Sequence, residues 1–168
     1  SIAGHHRSMV QHIVRRVIAD KAMRTYVYTR NRVLWHREQG HLVISIYGSP
    51  NELVSAMAKF YGFDDYRGSR YLVDKHHRYT GEIIPMWTAE RKQEAVEELA
   101  ALYDLDLGNS WSYGDTAADI SMFHLTGHPN LINPTRELIN LIRGDKSLLD
   151  RTTCIVERKD VIYRMNIR

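Results

Sequence analysis

The sequence predicts an α/β chain built on an open parallel sheet, and three observations carry that prediction. Short apolar runs near 41–47, 111–113, 130–132 and 152–162 alternate with stretches of helical period. The connections between them are short, as expected where helices cross between neighbouring strands. Gly48-Ser49 and Gly114-Asp115 come directly after two of the runs, at the strand ends where such sheets hold their ligands.

Each element has its own local signal. From Ser8 onward, Val10, Ile13, Val14, Val17 and Ile18 recur on one helical face, with His12, Arg15 and Arg16 opposite. A second helical pattern passes Met23, Tyr26, Val27, Arg30 and Leu34 and ends at Gly40. A strand over 41–47 then turns through Gly48-Ser49-Pro50-Asn51 into a helix bearing Leu53, Val54, Met57, Phe60 and Tyr61. Short strands are expected at 71–73 and 81–84, joined by Lys75-His76-His77-Arg78. Thr88 is placed to cap a helix whose core face is Val96, Leu99, Ala100 and Leu102. The strand at 111–113 leads into a helix over 119–125, and the strand at 130–132 into a helix begun by Pro134. The tail, 152–162, supplies at least one more strand, with Glu157-Arg158-Lys159-Asp160 as a turn.

Composition narrows the class. A chain of 168 residues, 43% hydrophobic and 26% charged, suits one soluble domain with a real core. No apolar run reaches the length of a membrane span, and basic residues interrupt the runs of the first twenty, so a cytoplasmic protein is expected. The single cysteine, Cys154, has no disulfide partner in the chain. Residues 7–39 hold eight Lys or Arg against two acids, which suggests a solvated face or a partner contact. Without a zinc-finger spacing or interleaved aromatics, nucleic acid is not an expected partner. His5-His6 and His76-His77 lack the helical spacing of metal ligands, and His128 sits in a Gly-His-Pro turn.

Gly114-Asp115-Thr116-Ala117-Ala118-Asp119 carries the most chemistry. A carboxylate at a strand tip, a glycine before it and a second carboxylate four residues on suggest a metal and phosphate site. Asp115 also reads as a helix cap, Asp119 as an exposed helix acid and Lys92 as a solvated lysine. The ordered series Gly40-His41-Leu42-Val43-Ile44, Tyr47-Gly48-Ser49-Pro50, Tyr79-Thr80-Gly81-Glu82, Ala89-Glu90-Arg91-Lys92, Ser112 to Met122 and Gly127 to Leu138 resembles the haloacid-dehalogenase-like phosphatases, in the branch containing phosphoserine phosphatase.

The resemblance implies a Rossmann-like three-layer open parallel sheet over 40–168, with the basic helical segment 1–39 as a partial cap remnant. It makes Lys92 the cation that neutralises the phosphoryl group and the nucleophile, and Asp115 a ligand of Mg²⁺. Asp119 would orient the metal's waters or pair with Lys92. Gly48 and Ser49 would hold phosphoryl oxygens through backbone amides or the hydroxyl, and Asn133 would brace the loop at the site entrance. Tyr47 departs from the pattern, standing where the family carries Ser or Thr.

A larger departure is that nothing ahead of residue 40 matches the Asp-x-Asp-x-Thr motif that supplies nucleophile and general acid. Asp104-Leu105-Asp106 falls in an ordinary connection and reads as surface loop. The expected function is therefore a Mg²⁺-dependent phosphomonoesterase domain for a small phosphorylated metabolite. It is expected to be incomplete without an upstream segment or second chain that carries the nucleophile and completes the sheet. The runs 154–156 and 161–162 are further candidates for that strand. The alternative is a catalytically silent domain used for binding or assembly.

Overall fold

Apolar runs and helical stretches give seven strands and seven helices among the residues that the computed structural model describes, 2–21, 26–158 and 161–167. They fall into two compact units, Ser1–Thr25 with Thr29–Trp87, and Tyr26–Tyr28 with Thr88–Arg168. No helix among the described residues is long and apolar enough to cross a membrane.

In chain order the first elements are α1 (Arg7–Lys21), α2 (Val27–Glu38), β1 (Ile44–Pro50), α3 (Asn51–Tyr61), β2 (Asp65–Val73) and β3 (Tyr79–Ile84). The crossover through α3 makes β1 and β2 parallel, and α3 buries Val54 and Ala58. Gly62, at φ +69°, ends α3 by donating its N–H to the Ala58 carbonyl. Helix α1 packs on α3 with Val14 buried. Ahead of α1, Gly4 donates to the Tyr79 carbonyl at 2.8 Å and Tyr79 donates to the His5 carbonyl at 3.0 Å. The N-terminal segment thus lies along β3, and the rings of His6 and His77 meet edge-on at 6.1 Å.

The second unit contains α4 (Ala89–Tyr103), β4 (Trp111–Gly114), α5 (Ile120–Leu125), β5 (His128–Ile132), α6 (Arg136–Gly144), α7 (Lys146–Leu149), β6 (Thr153–Arg158) and β7 (Val161–Met165). Its sheet runs β4-β5-β6-β7. Phe123, Leu131, Leu138, Ile142, Leu148, Cys154 and Ile167 form the core beneath it. Burial pushes the Cys154 thiol above its usual range. The amphipathic α6 places Leu138 and Ile142, one turn apart, into that core.

The sheets are mixed, a correction to the open parallel sheet expected from sequence. Strands β2 and β3 are antiparallel, as are β6 and β7. The links explain this: five residues separate β2 from β3 and two separate β6 from β7, and a parallel return needs a crossover of roughly a dozen. The terminal runs do not complete the sheet beside β4. The run 154–156 pairs with β5 and 161–162 pairs with β6, at the opposite end of the strand order.

Smaller differences have local causes. The first strand begins at Ile44 and runs through Pro50, because Val43 instead donates its N–H to the Asp64 carboxylate at 2.7 Å. Leu102, expected in the core, is 61% exposed near the end of α4. Helix α6 begins at Arg136, two residues after the expected Pro134, and is capped by Thr135, its hydroxyl accepting the Leu138 N–H at 3.3 Å. Met23, expected in the second helical pattern, lies outside the described residues, as do Lys159 and Asp160 of the expected turn.

Candidate active site

Strand β4 ends at Gly114, and the chain turns through Asp115 and Thr116 into a short 3-10 turn, Ala117–Asp119, that runs on into α5. Within this turn the Asp119 side chain folds back under the strand tip. Its Oδ2 accepts the N–H groups of Asp115 and Thr116, each at 3.0 Å, and the Thr116 hydroxyl at 3.3 Å. Its Oδ1 accepts the Lys92 ammonium. Lys92 reaches it from the first turn of α4, whose start is fixed by the Thr88 hydroxyl accepting the Arg91 N–H at 3.3 Å. The Lys92 and Asp119 side chains are only 7% and 4% exposed. That buried pair is acceptable because the other oxygen of Asp119 also finds donors.

Gly114 makes the fold-back sterically feasible. A Cβ there would lie 2.5 Å from Asp119 Cγ and 2.6 Å from its Oδ2. This glycine is required by close approach, not by backbone sign.

Asp115 is the partly buried carboxylate beside the pair. Burial raises its pKa, the Asp119 carboxylate raises it further, and the Lys92 ammonium opposes both. A raised carboxyl is a stability cost in its ionised form, present above its folded pKa and lost as pH falls toward the unfolded value. Asp115→Asn is therefore expected to raise Tm at pH 7, with the gain shrinking as pH is lowered toward 4. Thermal melts across that range check it, and a pH-independent effect would contradict the assigned cause.

Neighbouring strand tips carry two further polar groups. Asn133, at φ +47°, donates its N–H to the Ile155 carbonyl at 2.9 Å and accepts the Glu157 N–H on Oδ1 at 2.9 Å. The Asp115 carbonyl accepts the Thr135 N–H at 2.8 Å, which fixes this loop against the end of β4. Glu157, read from sequence as part of a turn, is instead 2% exposed at the end of β6. Its carboxylate accepts the N–H groups of Val27 at 2.6 Å and Tyr28 at 3.0 Å. Its position one residue past the apolar run 154–156 was the signal available, the same strand-tip placement that singled out Asp115.

Lys92, Asp115 and Asp119 thus form one cluster, with Asn133 braced on the adjoining strand. Tyr47, Gly48 and Ser49 lie on β1, in the other unit. There the Gly48 carbonyl accepts the Ser69 hydroxyl at 2.6 Å, and Tyr47 is half exposed. Asp104 caps α4 in the left-handed region, and Asp106 accepts the Asn109 N–H at 3.1 Å. Both have structural roles in the connection. Among the described residues, no group of three His, Cys, Asp or Glu side chains is placed to hold a metal ion.

The site is thus a buried lysine–aspartate pair beneath a partly buried strand-tip aspartate. The model of the haloacid dehalogenase-like hydrolases matches residues 2–124. The chain belongs to that family. A Streptomyces azureus protein named for inhibition of morphological differentiation is 32% identical over 103 residues, 61% of this chain and 37% of that protein. A protein of Mycobacterium tuberculosis named a probable phosphatase is 31% identical over the same length, 61% of this chain and 36% of the relative. The chain therefore spans little more than a third of these two relatives. Among solved structures, a Bordetella pertussis protein of unknown function superposes with a TM-score of 0.73 at 20% identity, covering 85% of this chain and 66% of that one. A phosphoserine phosphatase carrying a phospho-aspartyl intermediate analogue gives 0.59 at 20%, covering 78% and 58%. The haloacid dehalogenase-like fold of this chain is the one phosphoserine phosphatases use.

Proposed function

We propose that this haloacid dehalogenase-like chain is the charge-stabilising part of a Mg²⁺-dependent phosphomonoesterase acting on a small phosphorylated metabolite. Its nucleophilic aspartate is supplied by a segment outside these residues or by a second chain. The observation that carries this reading is the Lys92 ammonium, buried yet held by Asp119 alongside Asp115. A fixed cation placed where negative charge gathers is what phosphoryl transfer demands of a protein.

In the proposed reaction, a carboxylate attacks the phosphorus, the ester P–O bond breaks, and the leaving oxygen takes a proton from an acid. Water then cleaves the acyl phosphate. Lys92 neutralises the oxygens that crowd together in the first step. Asp119 holds Lys92 in place and fixes the turn that presents Asp115. Mg²⁺, when bound, neutralises phosphoryl charge. Asp115 is the ligand this chain offers it, and a site built from one or two carboxylates, waters and phosphate oxygens suits that ion. The remaining protein ligand comes with the nucleophilic segment.

A specific observation favours the second reading, a silent binding domain. The one Asp-x-Asp pair is spent on capping and turn contacts, and Tyr47 stands half exposed where the family carries Ser or Thr. The two are separated by expressing the full native reading frame and assaying Mg²⁺-dependent hydrolysis of small phosphomonoesters. Hydrolysis that drops about a hundredfold or more in Lys92→Met supports the phosphatase reading. A frame with no second Asp-x-Asp after an apolar run, and no hydrolysis, leaves the silent domain. A rate unchanged by Asp115→Asn would remove its metal role.

A further inference from the structure

The segment ahead of α1 lays His6 against the tip of the β2–β3 hairpin. Gly4 and Arg7 donate their N–H groups to the carbonyls of Tyr79 and His77, each at 2.8 Å. Between them, His6 stands opposite Arg78 in an antiparallel bridge. The hairpin tip is fixed from its own side. Asp74 Oδ1 accepts the N–H groups of His76 at 2.8 Å and Arg78 at 3.0 Å, and His77 donates to the Asp74 carbonyl at 3.0 Å. His77 takes the left-handed conformation there, at φ +58°, which costs energy in any residue with a Cβ. These contacts set the His6 and His77 rings edge-on, with centres 6.1 Å apart and both residues exposed.

We propose that His6 and His77 bind one divalent transition ion, of the class Zn²⁺, Ni²⁺ and Cu²⁺, which fastens the N-terminal segment to the hairpin. An imidazole nitrogen lies about 1.1 Å from its ring centre and holds Zn²⁺ at roughly 2.0–2.1 Å. Two rings sharing an ion therefore have centres about 5.2 Å apart at the tetrahedral angle and at most about 6.4 Å. At 6.1 Å the pair lies inside that span, and small side-chain rotations cover the rest. Ser8 leaves His6 one nitrogen for the ion. His6 Nδ1 is 2.8 Å from the Ser8 hydroxyl and 3.3 Å from its N–H, so Nε2 remains. A hydrogen bond on one ring nitrogen is what orients the other as a ligand. The His77 ring makes no hydrogen bond among the described residues. The nearby cations are directed elsewhere, Arg7 Nε to Glu52 at 3.1 Å and the Arg78 guanidinium to the Gly4 carbonyl at 2.9 Å. No third His, Cys, Asp or Glu joins the pair among the described residues, so water completes the coordination. Imidazole selects these ions over Mg²⁺, which takes oxygen donors. The pair shares no residue with the Lys92 cluster and stands independently of the phosphatase reading.

The test titrates the protein with Zn²⁺ and reads both binding, by competition with a chromogenic chelator, and Tm. Zn²⁺ should raise Tm, because an ion bound only by the folded chain stabilises it, and Mg²⁺ at the same concentration should not compete. Removing a ligand costs no less than removing its hydrogen-bond partner, so His6→Ala and His77→Gly should each weaken Zn²⁺ binding at least about tenfold. Glycine accepts φ +58°, so His77→Gly should hold the metal-free Tm, and a lost response is then a lost ligand. His5→Ala and His76→Ala should leave the affinity unchanged. No Zn²⁺ binding, or binding indifferent to both His6→Ala and His77→Gly, overturns the proposal. Equal loss at all four histidines would mean adventitious surface binding only and overturns it too. Zn²⁺ binding abolished by Asp115→Asn instead would move the ion to the Lys92 cluster, against the proposal.

Discussion

Lys92→Met should lower folding stability by about 3–5 kcal/mol, the range for breaking a buried ion pair from one side. The methionine fills similar space, so the loss is chiefly electrostatic. The Asp119 carboxylate, 4% exposed on its side chain, is left without its cation while still tied to the amides of Asp115 and Thr116. For a chain of this size the shift corresponds to a fall in Tm of about 10 °C. Urea melts of Lys92→Met, Asp119→Asn and the double variant close a cycle, and a coupling of about 1–3 kcal/mol is expected. If the single effects are each below about 1 kcal/mol and simply add, the pair behaves as a surface ion pair and the buried assignment is wrong.

Gly114→Ala is the second large effect. The new methyl group would sit 2.5–2.6 Å from the Asp119 carboxyl, inside any tolerable contact. Either the strand tip or Asp119 has to move, at about 1–3 kcal/mol or more. A shift of Asp119 also releases Lys92, so a variant that still folds should lose the cation's position along with some stability. Gly144→Ala is the matched control: nothing lies within 4 Å of its added methyl, at the end of α6. Helix propensity predicts a neutral or slightly stabilising change there. Denaturant midpoints of the two variants give the comparison, and equal midpoints would mean that the close approach at Gly114 has no energetic weight.

Much of this site was legible because its parts are close in sequence. Gly114, Asp115 and Asp119 lie within six residues, and one turn suffices to bring the second carboxylate under the strand tip. The strand at 111–113 and the helix capped by Thr88 follow from local periodicity and capping chemistry. Lys92 was different. Its run of charged neighbours also suits a solvated helix face, and α5, with Ser121 donating to the Ala89 carbonyl at 2.7 Å, together with the Ala117–Asp119 turn brings that turn of α4 under cover. Glu157 was misread for the same reason. Its charged neighbours suggest a turn, whereas its burial depends on Val27 and Tyr28, about 130 residues away.

By itself, the sequence determined most of the helices and strands, the glycine and two carboxylates at the tip of the strand over 111–113, and the family to which the chain belongs. These rest on spacings of a few residues, which local geometry reads directly. Only the tertiary structure decided which charges are buried. Lys92 and Asp119 are 27 residues apart, and neither one's exposure follows from its own neighbours. It also decided that the terminal runs extend the sheet away from β4, since strand order depends on which crossovers the packing allows.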